Sequence, residues 1–173
     1  MTYGPIGGVK IVGFTGLARA GKDEAAKVLA GMRPGSRIYA FSDAISVIAR
    51  AHHGMQRRAP GVLQRVGLAE RQRNPSVWLD ALYWKIDEDR PSTAIVTGVR
   101  FKDEAEMILG MGGKVVKVVR TDEAGSLFVS VDRDSSHETE MSMRWIKPDM
   151  TVYNRSGHMS DFQGAVCALS PLL

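Results

Sequence analysis

The run Lys10–Asp23, KIVGFTGLARAGKD, decides how the rest of the chain is read. Its first six residues are apolar and β-rich and run into a glycine turn. Gly16 to Asp23 then fit the pattern G-x-x-x-x-G-K, with Asp23 where Ser or Thr is usual. From Lys22 to Met32 the spacing turns helical, with Ala25, Ala26, Val28 and Leu29 available to an inner face and Gly31 near the end. A strand, a glycine loop and a helix in direct succession give that pattern its physical meaning. Successive backbone N–H groups across Leu17, Ala18, Arg19 and Ala20 can point at one anion, and the helix adds its positive end. Gly16 and Gly21 permit backbone angles that a Cβ would obstruct. Lys22 would reach the β- and γ-phosphates as a point charge, so the expected ligand is ATP. Asp23 is a hard oxygen ligand for Mg2+, directly or through water, or simply a charge that suits the helix N-terminus.

Outward from this run the chain alternates between two periods. Arg37–Phe41 reads as a second short strand, and residues 43 to 89 read as helical with breaks at Gly54, at Ala59-Pro60-Gly61 and at Asn74-Pro75. Thr93–Val99 is a continuous apolar run of the kind buried on both sides of a parallel sheet. Lys102–Leu109 reads as a helix closed by Gly110, Lys114–Val119 as a strand, and Thr121–Ser136 as polar. A short helix from about His137, a strand at Met150–Tyr153 and a final helix over Ser160–Leu169 follow. Strands alternating with helices predict an α/β fold with a central parallel sheet flanked by helices. In such sheets ligands sit at the carboxyl ends of the strands, which is where the motif falls.

The bulk numbers narrow the function classes. At 173 residues, with 44% hydrophobic and 24% charged residues, one compact domain spanning 1–173 is the expectation. No apolar run is long enough to span a bilayer, and the lead-in with Gly4, Pro5, Gly7 and Gly8 does not read as a signal peptide. The single Cys167 excludes a disulfide framework and fits a reducing, cytoplasmic setting. The net charge of +4, with 15 Arg against 8 Lys, suits an anionic ligand. No dense basic stripe with interleaved aromatics supports nucleic-acid binding; Arg57-Arg58 is too short.

At this point the chain resembles the deoxynucleoside monophosphate kinases of bacteriophages, a branch of the P-loop kinases. GLARAGKDEAA (16–26), IYAFSDAIS (38–46), LQRVGLAERQRNPSVWLDAL (63–82), IVTGVRFKDEAEMI (95–108), SSHETE (135–140) and TVYN (151–154) carry the resemblance in order. It implies a P-loop NTPase three-layer sandwich of the nucleoside monophosphate kinase-like type, ATP with Mg2+, and a deoxynucleoside monophosphate acceptor. The partners expected are these small molecules, with no nucleic acid and no membrane, and a homodimer is common among relatives. The acceptor nucleoside is expected against residues 42 to 82, near Ser42, Gln64, Arg71 and Trp78, although Trp78 and Trp84 also read as core anchors. Residues 120 to 140 are expected to form a lid in which Arg120 and Arg133 face the transferred group. His137 and Glu140 either meet the substrate or belong to a helix started by the capping box Ser135-x-x-Glu138. Asn154 either touches the donor adenine or shapes a turn.

Arg100, just beyond the Thr93–Val99 strand, can clamp an acceptor phosphate bidentately or pair with Asp103 or Glu104. Two departures from the resembling pattern bear on catalysis. Gly98 stands where a strand-end Asp is usual, and Glu24 where Thr is often found. They leave Asp23 with a larger share of the metal, with Asp43 as a second candidate, and keep open a nucleotide-binding protein of weak catalysis. Another small-molecule P-loop kinase, such as a dephospho-coenzyme A kinase, is the remaining enzyme reading.

Overall fold

The computed structural model describes residues 2–57, 59–128 and 142–172. Five strands form one all-parallel sheet: β1 (Lys10–Thr15), β2 (Ser36–Ala40), β3 (Thr93–Val99), β4 (Lys114–Thr121) and β5 (Met150–Arg155), in the order β2-β3-β1-β4-β5. The helices are α1 (Lys22–Met32), α2 (Phe41–His53), α3 (Pro60–Arg73), α4 (Val77–Asp89), α5 (Lys102–Gly110) and α6 (Met159–Leu169). The apolar strands therefore lie at the centre and the weakly apolar β2 at an edge, as burial on two faces requires.

Alternation along each strand divides the core into two halves. Val12 and Phe14 of β1, Ile95 of β3, Val116 and Val118 of β4 and Val152 of β5 pack against Ala25, Ala26 and Leu29 of α1 and Phe162 and Val166 of α6. On the other face Ile11, Ala94, Val96 and Val115 meet Phe41 of α2, Leu79, Leu82 and Ile86 of α4, and Ala105 and Ile108 of α5. This is a three-layer arrangement, helices on both faces of the sheet. Gly13 lets α5 close on β1, because the Ile108 side chain occupies the space of a Cβ there, 2.4 Å from where it would stand. A smaller cluster of Ala49, Met55, Leu63 and Val66 joins α2 to α3 away from the sheet.

Most element bounds follow the sequence reading, with instructive differences. Phe41 opens α2 rather than ending β2, its ring buried under the sheet. Strands β4 and β5 each run two residues further than their apolar pattern, because Arg120 pairs in register with Asn154 and Thr121 with Arg155. The ladder continues where the hydrophobic signal has stopped. Trp84, read as a core anchor, is 54% exposed, whereas Trp78 is buried. In α6, Gly164 is exposed and a Cβ there would meet no atom within 4 Å. Gly164→Ala should therefore raise stability by about 0.5–1 kcal/mol, a melting increase of roughly 1–4 °C in thermal unfolding. No helix among the described residues is long and apolar enough to cross a membrane.

Candidate active site

Helix α1 leaves the carboxyl end of β1 towards one face of the sheet, and α5 leaves the adjacent β3 towards the other. Between such divergent connections a crevice opens at the strand ends. The Gly16–Asp23 loop lies at this point. Gly16, Arg19 and Gly21 have φ of 139°, 60° and 106°, so the chain passes three times through the left-handed half of backbone space. Lys22 turns back over the loop: its Nζ donates to the carbonyls of Gly16 and Leu17, each at 2.8 Å. The ammonium is thereby held within the turn and largely buried.

Two neighbouring strands fasten the loop from outside. The Asn154 Nδ2 donates to the Ala20 carbonyl at 2.9 Å, and Arg120 Nη1 donates to the Arg19 carbonyl at 3.3 Å. Arg120 also stacks on Phe128, 4.3 Å from the ring centroid, where a turn over Asp122–Ser126 brings the chain back. Asn154, the candidate for the donor adenine or a turn, lies within β5, its side-chain amide buried and bonded to the loop backbone. Asp23 is exposed in the first turn of α1, while Glu24 accepts from Gln163 of α6 at 3.3 Å. Asp43 caps α2 by accepting the Ala40 N–H at 3.0 Å.

Arg100 stands one residue beyond β3, and its own backbone N–H donates to Glu104 at 2.7 Å. Asp103 and Glu104, the two acids considered as partners for Arg100, are met by Arg71 of α3, which bonds Asp103 and lies 3.6 Å from the Glu104 carboxylate. Arg71 also stacks on Phe101, 4.1 Å from the ring centroid. Its guanidinium, expected at the acceptor, is tied into the β3–α5 corner. Trp78 is enclosed with its Nε1 donating to the Gly67 carbonyl at 2.9 Å, which leaves no face for stacking on a base. Ser42 in the first turn of α2 and Gln64 on α3 are half-buried. Arg133, His137 and Glu140 lie outside the described residues.

Glu104 escaped the sequence reading as a residue in its own right. Its only signal was a Glu three residues after the start of a helix, the second half of a capping box without the usual hydroxyl. Burial pushes its carboxyl up to about 7, against the pull of the Arg100 and Phe101 N–H groups and of Arg71. An acid raised in the fold ionises later there than in the unfolded chain. Its contribution to stability is full below about 4.5 and is lost as pH rises towards 7. Thermal unfolding of the protein should show this decline, worth roughly 3 kcal/mol, and Glu104→Gln should remove it.

Gly98 has φ +74°, and β3 carries one extra residue there, since Gly13 pairs with Val96 but Thr15 with Val99. The position expected to hold an acid is thus a bulge in a conformation that favours glycine.

No family model matches the chain, and no curated protein does. A solved structure described as an unliganded sugar kinase from Janibacter sp. HTCC2649 is similar over 94% of this chain and 93% of its own, at 16% identity and a TM-score of 0.49. Likeness at that level carries no weight for the activity.

Proposed function

We propose that this chain is an ATP-dependent phosphotransferase of the P-loop kinase type that phosphorylates deoxynucleoside monophosphates to diphosphates. The observation that carries the reading is the Gly16–Asp23 loop, folded around the Lys22 ammonium at the carboxyl end of β1, beside β3. In this reading the ammonium gives up two loop carbonyls for phosphate oxygens without leaving its place. The attacking oxygen belongs to an already anionic phosphate, so positioning and positive charge dominate and no strong base is needed.

The loop and Lys22 hold the donor, and Asn154 and Arg120 keep the loop's carbonyls turned outward from it. In this reading Arg100, one residue beyond β3, clamps the acceptor phosphate, and Ser42 on α2 and Gln64 on α3 meet the acceptor nucleoside. Arg133, His137 and Glu140 belong to the proposed lid, which excludes water as a competing acceptor; Arg120 and Thr121, expected at its start, are instead paired residues of β4. Among the described residues no group of three or more His, Cys, Asp or Glu is arranged to hold a metal ion. Mg2+ does not need one: a single carboxylate, phosphate oxygens and waters suffice, and the exposed Asp23 fits that requirement. When bound, the ion would neutralise charge on the phosphates.

The test is coupled ADP release with ATP and each of the four deoxynucleoside monophosphates. Turnover with one or more supports the proposal. Action confined to another metabolite, as a dephospho-coenzyme A kinase would show, overturns it.

The bulge at Gly98 favours a second reading, a nucleotide-binding protein of weak catalysis. Among the described residues a Cβ at Gly98 would meet nothing within 4 Å, so the strain that Gly98→Asp meets at its Cβ is that of the positive φ. We expect it to cost about 1 kcal/mol, or roughly 2–4 °C of melting temperature, and to raise ADP release at least about tenfold by restoring a carboxylate to the metal's surroundings. Unchanged turnover would show that the missing acid limits nothing.

A further inference from the structure

Among the described residues Glu104 is the only fully enclosed carboxylic acid, and no step above uses it. Its surroundings are specific. Oε2 accepts the N–H groups of Arg100 at 2.7 Å and Phe101 at 3.1 Å, while Oε1 lies 3.6 Å from Nη1 of Arg71, on α3. That nitrogen is buried and makes no hydrogen bond among the described residues; Nη2 is bonded to Asp103. Beyond Asp103 the N-terminal segment brings Tyr3, whose hydroxyl donates to Asp80 of α4 at 2.6 Å. Lys102, on the same turn of α5, pairs outward with Glu106. The inner cluster is therefore Arg71, Asp103 and Glu104: neutral when Glu104 carries a proton, and one negative charge when it does not.

We propose that Glu104 is a positioning residue that links acceptor binding to a proton: a phosphate seated at Arg100 draws a proton onto Glu104, and ionised Glu104 weakens the hold on that phosphate. The proposal rests on reading Arg100 as the acceptor clamp. Its physical basis is that an anion held by Arg100, whose own main-chain N–H is bonded to the enclosed Glu104 carboxyl, adds a like charge at the same corner, where the buried carboxylate is poorly screened. Linkage makes the effect reciprocal, so the anion favours protonation as much as protonation favours the anion. Because the Glu104 carboxyl already titrates near 7, the exchange falls at neutral pH. The Arg100 backbone, bonded to the same carboxyl, ties the two events to one corner.

The experiment uses the full chain and Glu104→Gln, a substitution that keeps an acceptor oxygen for the two N–H groups and removes the charge. A deoxynucleoside monophosphate is titrated calorimetrically near pH 7.5 in two buffers of different protonation enthalpy, and its affinity is compared at about pH 6 and about pH 8. The unaltered protein should take up more protons per acceptor bound than the Gln protein. The Gln protein should bind several-fold tighter at the higher pH and equally at the lower; the acceptor's own titration cancels in the comparison. A second measurement needs no variant: carbon NMR of the Glu104 carboxyl should show its midpoint rising when acceptor is added. Equal proton uptake, parallel pH profiles and an unmoved midpoint, with acceptor still phosphorylated, would overturn this inference alone. If no deoxynucleoside monophosphate binds, the kinase reading fails and the inference with it.

Discussion

Lys22→Ala is expected to lower kcat/KM for ATP by about two to three orders of magnitude. The size follows from what the ammonium does in the proposed reaction: it is the one full positive charge enclosed by the loop, in a place where water screens it poorly. Removing it also strips two hydrogen bonds from the Gly16 and Leu17 carbonyls. Leaving buried acceptors unmatched costs about 1–3 kcal/mol, so some loss of melting temperature should accompany the loss of turnover. Lys22→Arg provides a control for charge, since a guanidinium keeps the charge but replaces the single compact ammonium that meets both carbonyls by a planar fork of different geometry. It should restore melting temperature more than turnover. ATP affinity by calorimetry, ADP release and thermal unfolding together decide the matter. An alanine variant that binds ATP as tightly as the unaltered chain would mean that the nucleotide binds elsewhere.

The strand–loop–helix run from Lys10 to Met32 could be read residue for residue because three local signals agree there: β-rich apolar residues, glycines at a turn, and helical spacing. Thr93–Val99 was equally legible as a run with no polar face. What escaped was set by partners distant in sequence. Nothing local distinguishes Trp78 from Trp84; only the crossing of α3 and α4, which brings the Gly67 carbonyl to the indole of Trp78, puts one inside and leaves the other in water. Arg71 and Asp103 are 32 residues apart, and a sequence cannot say which of several arginines will meet a given carboxylate. Arg100 is the arginine nearest in sequence and bonds Glu104 through its backbone N–H, but a guanidinium that meets both acids comes from Arg71, on α3.

The two glycines that matter most illustrate the same division. Gly98 reads as a missing acid in the sequence, and only the register of β1 against β3 reveals an inserted residue with positive φ. The departure from the resembling pattern is therefore a change of backbone as well as of side chain. Restoring the carboxylate alone leaves the bulge in place, so the aim of the new Asp depends on a backbone that glycine has shaped. Gly16, in contrast, reads as the first glycine of a motif, and its geometry gives that requirement a concrete cause.

Gly16→Ala is expected to be the most damaging single-methyl change in the loop. A Cβ at Gly16 would stand 2.2 Å from the Val118 carbonyl oxygen and 3.2 Å from its carbon, both main-chain atoms of β4. A flexible side chain could swing aside; a carbonyl in the middle of a sheet cannot, because β4 is held by β1 on one side and β5 on the other. The φ of 139° adds strain of its own, since L side chains rarely adopt it. The sheet being fixed, the loop has to move, and the carbonyls of Gly16 and Leu17 move with it away from the Lys22 ammonium. We expect a loss of at least about 2–3 kcal/mol, seen as a fall of roughly 5–10 °C in thermal unfolding. ADP release should fall further than stability alone explains, because the same displacement dismantles the turn around Lys22. Gly164→Ala, made in parallel, separates the two causes: it adds the same methyl group where no atom lies within 4 Å and should leave turnover untouched. If Gly16→Ala kept both melting temperature and ADP release, the close approach of the loop to β4 would not exist in solution.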